Sequence, residues 1–133
     1  MTPSATTPVT GVDFVNVPTT DLDRARRFYG EVLGLEASQV YQRGEAPPMG
    51  AEFETGTVTL ALIDSAAIRR EFRANTLPIA LRVDDVAAAR AALEERGVSF
   101  AADTLDTGVC HMAFFEDPDG NALMLHQRYA PRG

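Results

Sequence analysis

The sequence has little cysteine, little basic charge and no long apolar stretch. Its single cysteine, Cys110, allows no disulfide within the chain, which is typical of a reducing compartment. Asp and Glu outnumber Lys and Arg by 19 to 12, and the net charge of −7 argues against nucleic acid and anionic membranes as partners, since both attract basic surfaces. No run approaches the roughly 18 apolar residues of a membrane helix, and residues 1–10 lack the basic and apolar parts of a signal peptide. We therefore expect a cytoplasmic protein.

Two common kinds of catalytic motif are also missing. The sequence contains no glycine-rich phosphate loop and no convincing spacing of Ser, His and Asp for nucleophilic catalysis. What remains is a chain of 133 residues that is 45% apolar and 23% charged. This is the size and balance of one globular domain with a substantial core.

The chain passes twice through the same order of elements. The first pass begins with an alternating strand at 12–17, which is followed by the helix cap Asp21 and a helix at 22–33. Gly34 ends this helix, and short strands follow at 36–43, 50–54 and 57–63. In the second, a strand at 77–83 precedes the cap Asp85, a helix at 86–96, Gly97 and strands at 98–101, 109–115 and 122–127. An α+β protein can show such an order by chance, but the matching caps and glycines favour a true repeat.

The repeat predicts how the chain is divided. We expect a loose arm at 1–10, a first module at 11–63, a linker at 64–76 and a second module at 77–128. Within the linker, Ile68 and Phe72 are four residues apart, which favours a helix over 64–74. The apolar lines of the two main helices predict which of their residues are buried: Leu22, Ala25, Phe28, Val86 and Leu93.

Two segments carry a family resemblance. The first is DLDRA at 21–25 followed by FYGEVLGL at 28–35, and the second is FFEDPDGN at 114–121. Together with the second strand and helix, they make residues 11–128 similar to the vicinal oxygen chelate superfamily, which includes glyoxalase I, extradiol dioxygenases and bleomycin-resistance proteins. The resemblance implies two tandem βαβββ modules whose sheets curve around a central cavity. Both motifs belong to the framework, so they indicate the fold and not the reaction.

The resemblance also implies where a metal would be held. In metal-using members, four inward-facing positions bind the ion, and in this sequence they are occupied by Phe14, Ala61, Pro78 and Met124. Three of these side chains have no donor atom, and a methionine thioether suits copper(I) but not zinc, iron, nickel or manganese. We therefore expect no metal and no cofactor. The alternative is a relocated metal site around His126.

Period-two alternation predicts the lining of the cavity. The predicted ligand-binding residues are Phe14, Asn16, Arg82, Met112, Phe114, Met124 and His126. Such a mostly apolar surface is typical of a pocket for an organic ligand, although the same side chains could also fill the cavity as core. If Arg82 faces inward it needs a carboxylate, from Glu52 or from a ligand; otherwise it is a surface residue at a strand end.

Three functions are compatible with these features. The favoured one is metal-independent binding of a small hydrophobic or aromatic ligand, as in sequestration by bleomycin-resistance proteins. The alternative is a metal-independent isomerase or lyase in which His126 or Glu52 moves a proton. A metal-dependent glyoxalase or dioxygenase is disfavoured by the four positions above, and whether the protein is an enzyme stays open. We expect a homodimer, because a short chain of two modules has exposed strand edges and relatives of this size pair two chains.

Overall fold

The computed structural model describes residues 8–131, which form two four-stranded mixed sheets with one main helix on each. The first half contains β1 (Phe14–Thr19), α1 (Leu22–Arg27), a π-helical turn (Phe28–Val32), β2 (Glu36–Tyr41), β3 (Gly50–Glu54) and β4 (Thr59–Asp64). After a 3₁₀ turn (Ala66–Ile68), the second half contains β5 (Ile79–Arg82), α2 (Val86–Glu95), β6 (Leu105–Asp106), β7 (Cys110–Glu116) and β8 (Ala122–Arg128). This is the α+β fold of tandem βαβββ units that the sequence predicts.

The two sheets have the same topology. The strand orders are β1-β4-β3-β2 and β5-β8-β7-β6, and the outermost pairs β1–β4 and β5–β8 are parallel. Each first strand leads into a helix capped by an aspartate, because the Asp21 and Asp85 carboxylates accept the backbone N–H of Arg24 and Ala88 at 3.1 and 3.0 Å.

The first helix differs from the prediction in its last turn. Residues 28–32 are π-helical, and the N–H of Leu33 donates to the carbonyl of Phe28, five residues back, at 2.9 Å. Phe28 and Val32 are four residues apart, as in an ordinary α-helix, so the apolar spacing of the sequence gives no sign of this wider turn. Gly34 then ends the helical segment with φ +75°, as predicted.

The predicted linker helix is wrong. Only the 3₁₀ turn at Ala66–Ile68 is helical, and Arg69, in the left-handed region with φ +57°, stops it. The following segment bonds instead to the second half: the N–H of Asn75 donates to Asn121 Oδ1 at 2.8 Å, and its carbonyl accepts the N–H of Ala122 at 2.8 Å. At Asn75 the backbone therefore bonds across to the second half and not along a helix.

The predicted strand at 98–101 is also misplaced. Its residues form a single bridge to β7, between Phe100 and Phe115, with the Ala101 N–H donating to the Phe114 carbonyl at 2.9 Å, and the strand that pairs with β7 is β6 at Leu105–Asp106. The Phe100 side chain packs on Phe115 with ring centroids 5.2 Å apart, and the Arg90 guanidinium lies over it at 4.7 Å. The apolar pattern at 98–101 therefore reflects packing of side chains against the core.

The core lies between the helix-covered faces of the two sheets. The five helix residues predicted to be buried are no more than 9% exposed, so that prediction is confirmed. They join strand residues of both halves, among them Leu60, Phe115 and Leu125, in one apolar cluster. Because both sheets turn their helix-covered faces to this shared core, each leaves its other face outward. We call these the first and second open faces.

Candidate functional site

The second open face carries all the predicted site residues of the second half. The strand register places Met112 opposite His126 and His126 opposite Arg82, and in the next row Phe114 opposite Met124. Residues paired in this way have their Cβ atoms about 5 Å apart and point to the same side of the sheet. All of these side chains are half-buried except that of Arg82, which is exposed. The alternation of the sequence thus predicts the residues that share this face.

The first open face is built in the same way. Asn16 lies beside Ala61, and Ala61 lies opposite Glu52, while Phe14 pairs with Thr59 in the neighbouring row. Phe14 is 46% exposed. A cavity of about 750 Å³ lies over this face, and its lining comes from the first half and the segment after it: Phe14, Asn16, Pro18, Tyr41, Ile63, Ser65, Ile68, Arg70, Glu71 and Arg73.

A single chain does not bring the two open faces together. The cavity over Phe14 and Asn16 contains no residue of the second half, and Arg82 lines a different cavity. The expectation that Phe14 and Arg82 line one concavity therefore fails within one chain, because the two sheets share their helix-covered faces. Within residues 8–131, neither a hydrogen bond nor an ion pair joins Arg82 to Glu52.

The four positions that the resemblance assigns to a metal hold residues that do not fit a divalent cation. Phe14 and Ala61 on the first half, and Pro78 and Met124 on the second, present hydrocarbon and one thioether. Such atoms cannot replace the nitrogen, oxygen or thiolate ligands that zinc, iron, nickel or manganese require. Across the described part of the chain, no cluster of three or more His, Cys, Asp or Glu residues could hold a metal ion.

The remaining nucleophile and histidine are accounted for by packing. Cys110 is a buried residue, only 6% exposed. The neighbouring His111 points to the other side of β7, where its Nε2 lies 3.5 Å from a carboxylate oxygen of Asp106 and its ring stacks on Tyr129 at 4.6 Å. The Tyr129 hydroxyl donates to the same carboxylate at 2.7 Å. Hydrogen bonds from the Gly108 N–H and from Tyr129 lower the pKa of Asp106.

The sequence analysis missed a polar cluster that joins the two halves, which we call the polar clamp. Its members are Thr19, Thr20, Arg24 and Tyr29 of the first half and Asp117, Asp119 and Asn121 of the turn between β7 and β8. Part of the role of Asp117 is to hold its own turn, because Asp117 Oδ1 accepts the N–H groups of Asp119 and Asn121 at 2.9 Å each.

The other atoms of these carboxylates reach across the molecule. Asp117 Oδ2 accepts the Tyr29 hydroxyl at 2.7 Å and the Asn121 side-chain N–H at 2.8 Å. Asp119 accepts from Arg24 Nη2 at 2.9 Å and from both hydroxyls of Thr19 and Thr20. The two sequence motifs that resemble the superfamily therefore contact each other in the structure. The signal in the sequence was the presence of polar side chains in both motifs, from which a contact between them could have been predicted.

The clamp also shifts two pKa values. Burial, followed by the adjacent charge of Asp117, raises the pKa of Tyr29 far above its ordinary range. Burial of Asp119 acts to raise its pKa, but hydrogen bonds from Thr19 and Thr20 and the charge of Arg24 outweigh it, so that the pKa of Asp119 is lowered. Both shifts favour the forms in which the hydrogen bonds of the clamp are made, the neutral Tyr29 hydroxyl and the ionised Asp119 carboxylate.

Comparison with protein families agrees with this architecture. The model of the glyoxalase/bleomycin resistance protein/dioxygenase superfamily matches residues 11–125. The chain belongs to this superfamily. No curated protein matches it. Among the helices of residues 8–131, none is long and apolar enough to span a lipid bilayer.

Solved structures of the superfamily are similar over nearly the whole chain. An antibiotic binding protein, TnmS3 from Streptomyces sp. CB03234, is 29% identical with a TM-score of 0.74, over 91% of this chain and 98% of that one. A glyoxalase/bleomycin resistance protein from the same organism is also 29% identical, with a TM-score of 0.70, over 88% and 100%. Lactoylglutathione lyase from Agrobacterium tumefaciens, with 21% identity over 90% and 94% and a TM-score of 0.69, shows the shared fold alone.

Proposed function

We propose that the protein binds a small hydrophobic or aromatic molecule without a metal, between the first open face of one chain and the second open face of a partner copy. The observation that carries this proposal is the exposure of apolar side chains on the two open faces. Phe14 is 46% exposed, and Met112, Phe114 and Met124, which share one face of the second sheet, are partly exposed. Apolar side chains that are grouped on an accessible surface mark binding surfaces.

Two further observations support a ligand without a metal. The four family metal positions hold side chains that suit an apolar molecule and not an ion. The similar TnmS3 is an antibiotic binding protein. Methionine and phenylalanine at adjacent positions give an adaptable surface for flat, aromatic molecules.

The same geometry supports a homodimer as part of this proposal. The open faces of one chain point away from its own core, so a cup made of both needs a second copy. A symmetric pair of chains would then contain two equivalent cups, each with Phe14 from one chain and Met124 from the other. Light scattering is expected to give twice the chain mass of 14.4 kDa.

Mixing of variant chains tests the shared cup. A ligand is first found by a thermal-shift screen of aromatic metabolites and antibiotics, because a molecule that binds only the folded state raises the melting temperature. Phe14→Glu and Met124→Glu each place a carboxylate in every cup of a homodimer and are expected to abolish binding. A mixed dimer contains one cup with both changes and one unaltered cup, so it should bind one ligand per dimer. No recovery in the mixed dimer, with folding intact, would contradict the shared cup.

Arg82 offers a test of ligand chemistry at the second open face. If the ligand carries a carboxylate or phenolate, Arg82→Ala should weaken binding by about 1.5 kcal/mol or more, roughly tenfold. Elemental analysis of the dialysed protein is expected to find no stoichiometric metal. One equivalent of zinc, nickel, iron or manganese, lost together with ligand binding on chelation, would contradict metal-independent binding.

A second function uses the same surface. His126 lies beside Arg82 in one row, so a proton-transfer group is next to a cation that could hold an oxyanion. This arrangement would suit a metal-independent isomerase or lyase, with Glu52 as the facing base from the other chain. Conversion of the bound ligand, abolished by His126→Gln with affinity retained, would favour it over sequestration.

A further inference from the structure

The internal repeat allows the surroundings of the two helices to be compared position by position. Asp21 and Asp85 cap α1 and α2, so Phe28 and Tyr29, the seventh and eighth residues after the first cap, correspond to Ala92 and Leu93. The turn between β7 and β8, which contains Asp117, likewise corresponds to the turn between β3 and β4 at residues 55–58.

The two helices meet these turns in different ways. Tyr29 reaches the β7–β8 turn through its bond to Asp117, and Phe28 beside it is buried. On the other helix, Leu93 and Ala92 are smaller and face the β3–β4 turn across a cavity of about 520 Å³, which we call the cleft. A cavity of about 740 Å³ also lies beside the β7–β8 turn, but acidic residues, Asp117 among them, line it, whereas no acidic residue within 8–131 lines the cleft.

The cleft is large and apolar enough for a small organic molecule, since ligand pockets span roughly 300–1,000 Å³. It lies between the edges of β1 and β5, on the helix-covered side of the sheets, and its apolar walls include Leu60, Leu93 and Leu125. Val15 points to this side of β1 and is nevertheless 37% exposed, because the cleft leaves it uncovered.

The charges at the cleft are all of one sign. Its charged lining residues among those described are Arg82 and Arg96, although the chain as a whole carries a net charge of −7. One Nη of Arg96 donates to the carbonyl of Val32 at 2.7 Å, which leaves its other N–H groups available. The lining hydroxyls come from Thr55 and Thr57.

We propose that this cleft is a second ligand site, which shares Arg82, at the edge of the sheet, with the second open face, and that it binds an apolar monoanion such as a fatty or aryl carboxylate. The apolar part lies against Leu60, Leu93 and Leu125, and the carboxylate meets the arginines at the mouth. An apolar cleft with positive charge and no lining acid is complementary to such a molecule in both shape and charge.

Decanoate is a suitable probe, titrated calorimetrically into the full chain, with decanol as the neutral counterpart. Decanoate is expected to bind at least tenfold more tightly than decanol and to shift the backbone amide resonances of α2. Ala92→Phe restores the side chain that the other helix has at this position, and by filling the cleft it should weaken decanoate binding more than tenfold. Ala91→Phe, at the neighbouring exposed position, is the matched control and should change binding less than twofold.

Arg96→Gln tests the charge separately and should weaken decanoate about tenfold with little effect on decanol. Met124→Glu, which is expected to abolish ligand binding at the open faces, should leave decanoate binding within twofold, so the two sites can fail independently. The proposal is overturned if decanoate does not bind, if its amide shifts map to β7 and β8 instead of α2, or if both phenylalanine variants weaken it equally. The amide shifts of the unaltered protein decide the location even if Ala92→Phe does not fold.

Discussion

Removal of the Asp117 carboxylate should destabilise the protein more than any other single change in the polar clamp. Asp117 is 6% exposed and accepts four hydrogen bonds, two from backbone N–H groups and one each from Tyr29 and Asn121. In Asp117→Ala all four donors lose an acceptor in a buried place. Each bond to a charged group contributes about 1.5–3 kcal/mol, but the losses overlap because the donors rearrange together, so we expect a decrease of about 4 kcal/mol in the free energy of unfolding.

Tyr29→Phe gives a smaller and more specific test. It removes one hydroxyl and leaves the Asn121 bond to the same carboxylate oxygen, so the expected loss is about 1.5 kcal/mol. In Asp117→Ala the Tyr29 hydroxyl is already unpaired, and removing it should then cost at least about 1 kcal/mol less. Tyr41→Phe is the matched control, since no hydrogen bond of the Tyr41 hydroxyl is found within residues 8–131.

Urea unfolding at one fixed protein concentration measures these differences, because the stability of an associating chain depends on its concentration. A loss below about 0.5 kcal/mol in Tyr29→Phe, or strict additivity in the double variant, would refute the idea that the clamp couples the two halves.

Three other predictions follow from particular residues. The pKa of Asp119 is lowered in the folded chain. The stabilisation by its carboxylate is therefore present above the unfolded pKa of about 3.9 and is lost as the pH falls through the folded value. Asp119→Ala should remove this part of the acid dependence of stability, as measured by urea unfolding at several pH values. The pKa of Tyr29 is raised, so its contribution is complete below about pH 10 and is lost at higher pH, and tyrosinate absorbance should show Tyr29 ionising only with unfolding. A Cβ at Gly50 would collide with the backbone carbonyl oxygen of Leu62 on the neighbouring strand, so Gly50→Ala should lower the free energy of unfolding by about 3 kcal/mol. Gly30→Ala should lower it less, because a Cβ at Gly30 would meet only the edge of the Phe53 ring, at 3.2 Å.

Local signals in the sequence predict the repeated elements well. The aspartate caps and the helix-ending glycines are decided within a few residues, and the structure has them at Asp21, Asp85, Gly34 and Gly97. Alternation similarly predicts which side chains share a sheet face, because the side-chain period of a strand is fixed at two.

Features that depend on distant contacts are not predicted. The segment after Ile68 has the apolar spacing of a helix, but its backbone bonds go to Asn121 and Ala122, far along the chain. The site was predicted as one cup, and alternation gives the face of each sheet without showing how two sheets are oriented to each other. The Phe14 and Met124 faces therefore turn out to be separate in one chain.

The polar clamp has a consequence for biosynthesis. Tyr29 and Thr19 bond to Asp117 and Asp119, partners 88 and 100 positions later in the chain. While the chain grows on the ribosome, Tyr29 and Thr19 therefore stay without these polar partners until residues 117–119 have emerged. The first half is expected to remain open and accessible to chaperones and proteases over that time, and to close only when the β7–β8 hairpin arrives, so that the two halves complete folding together.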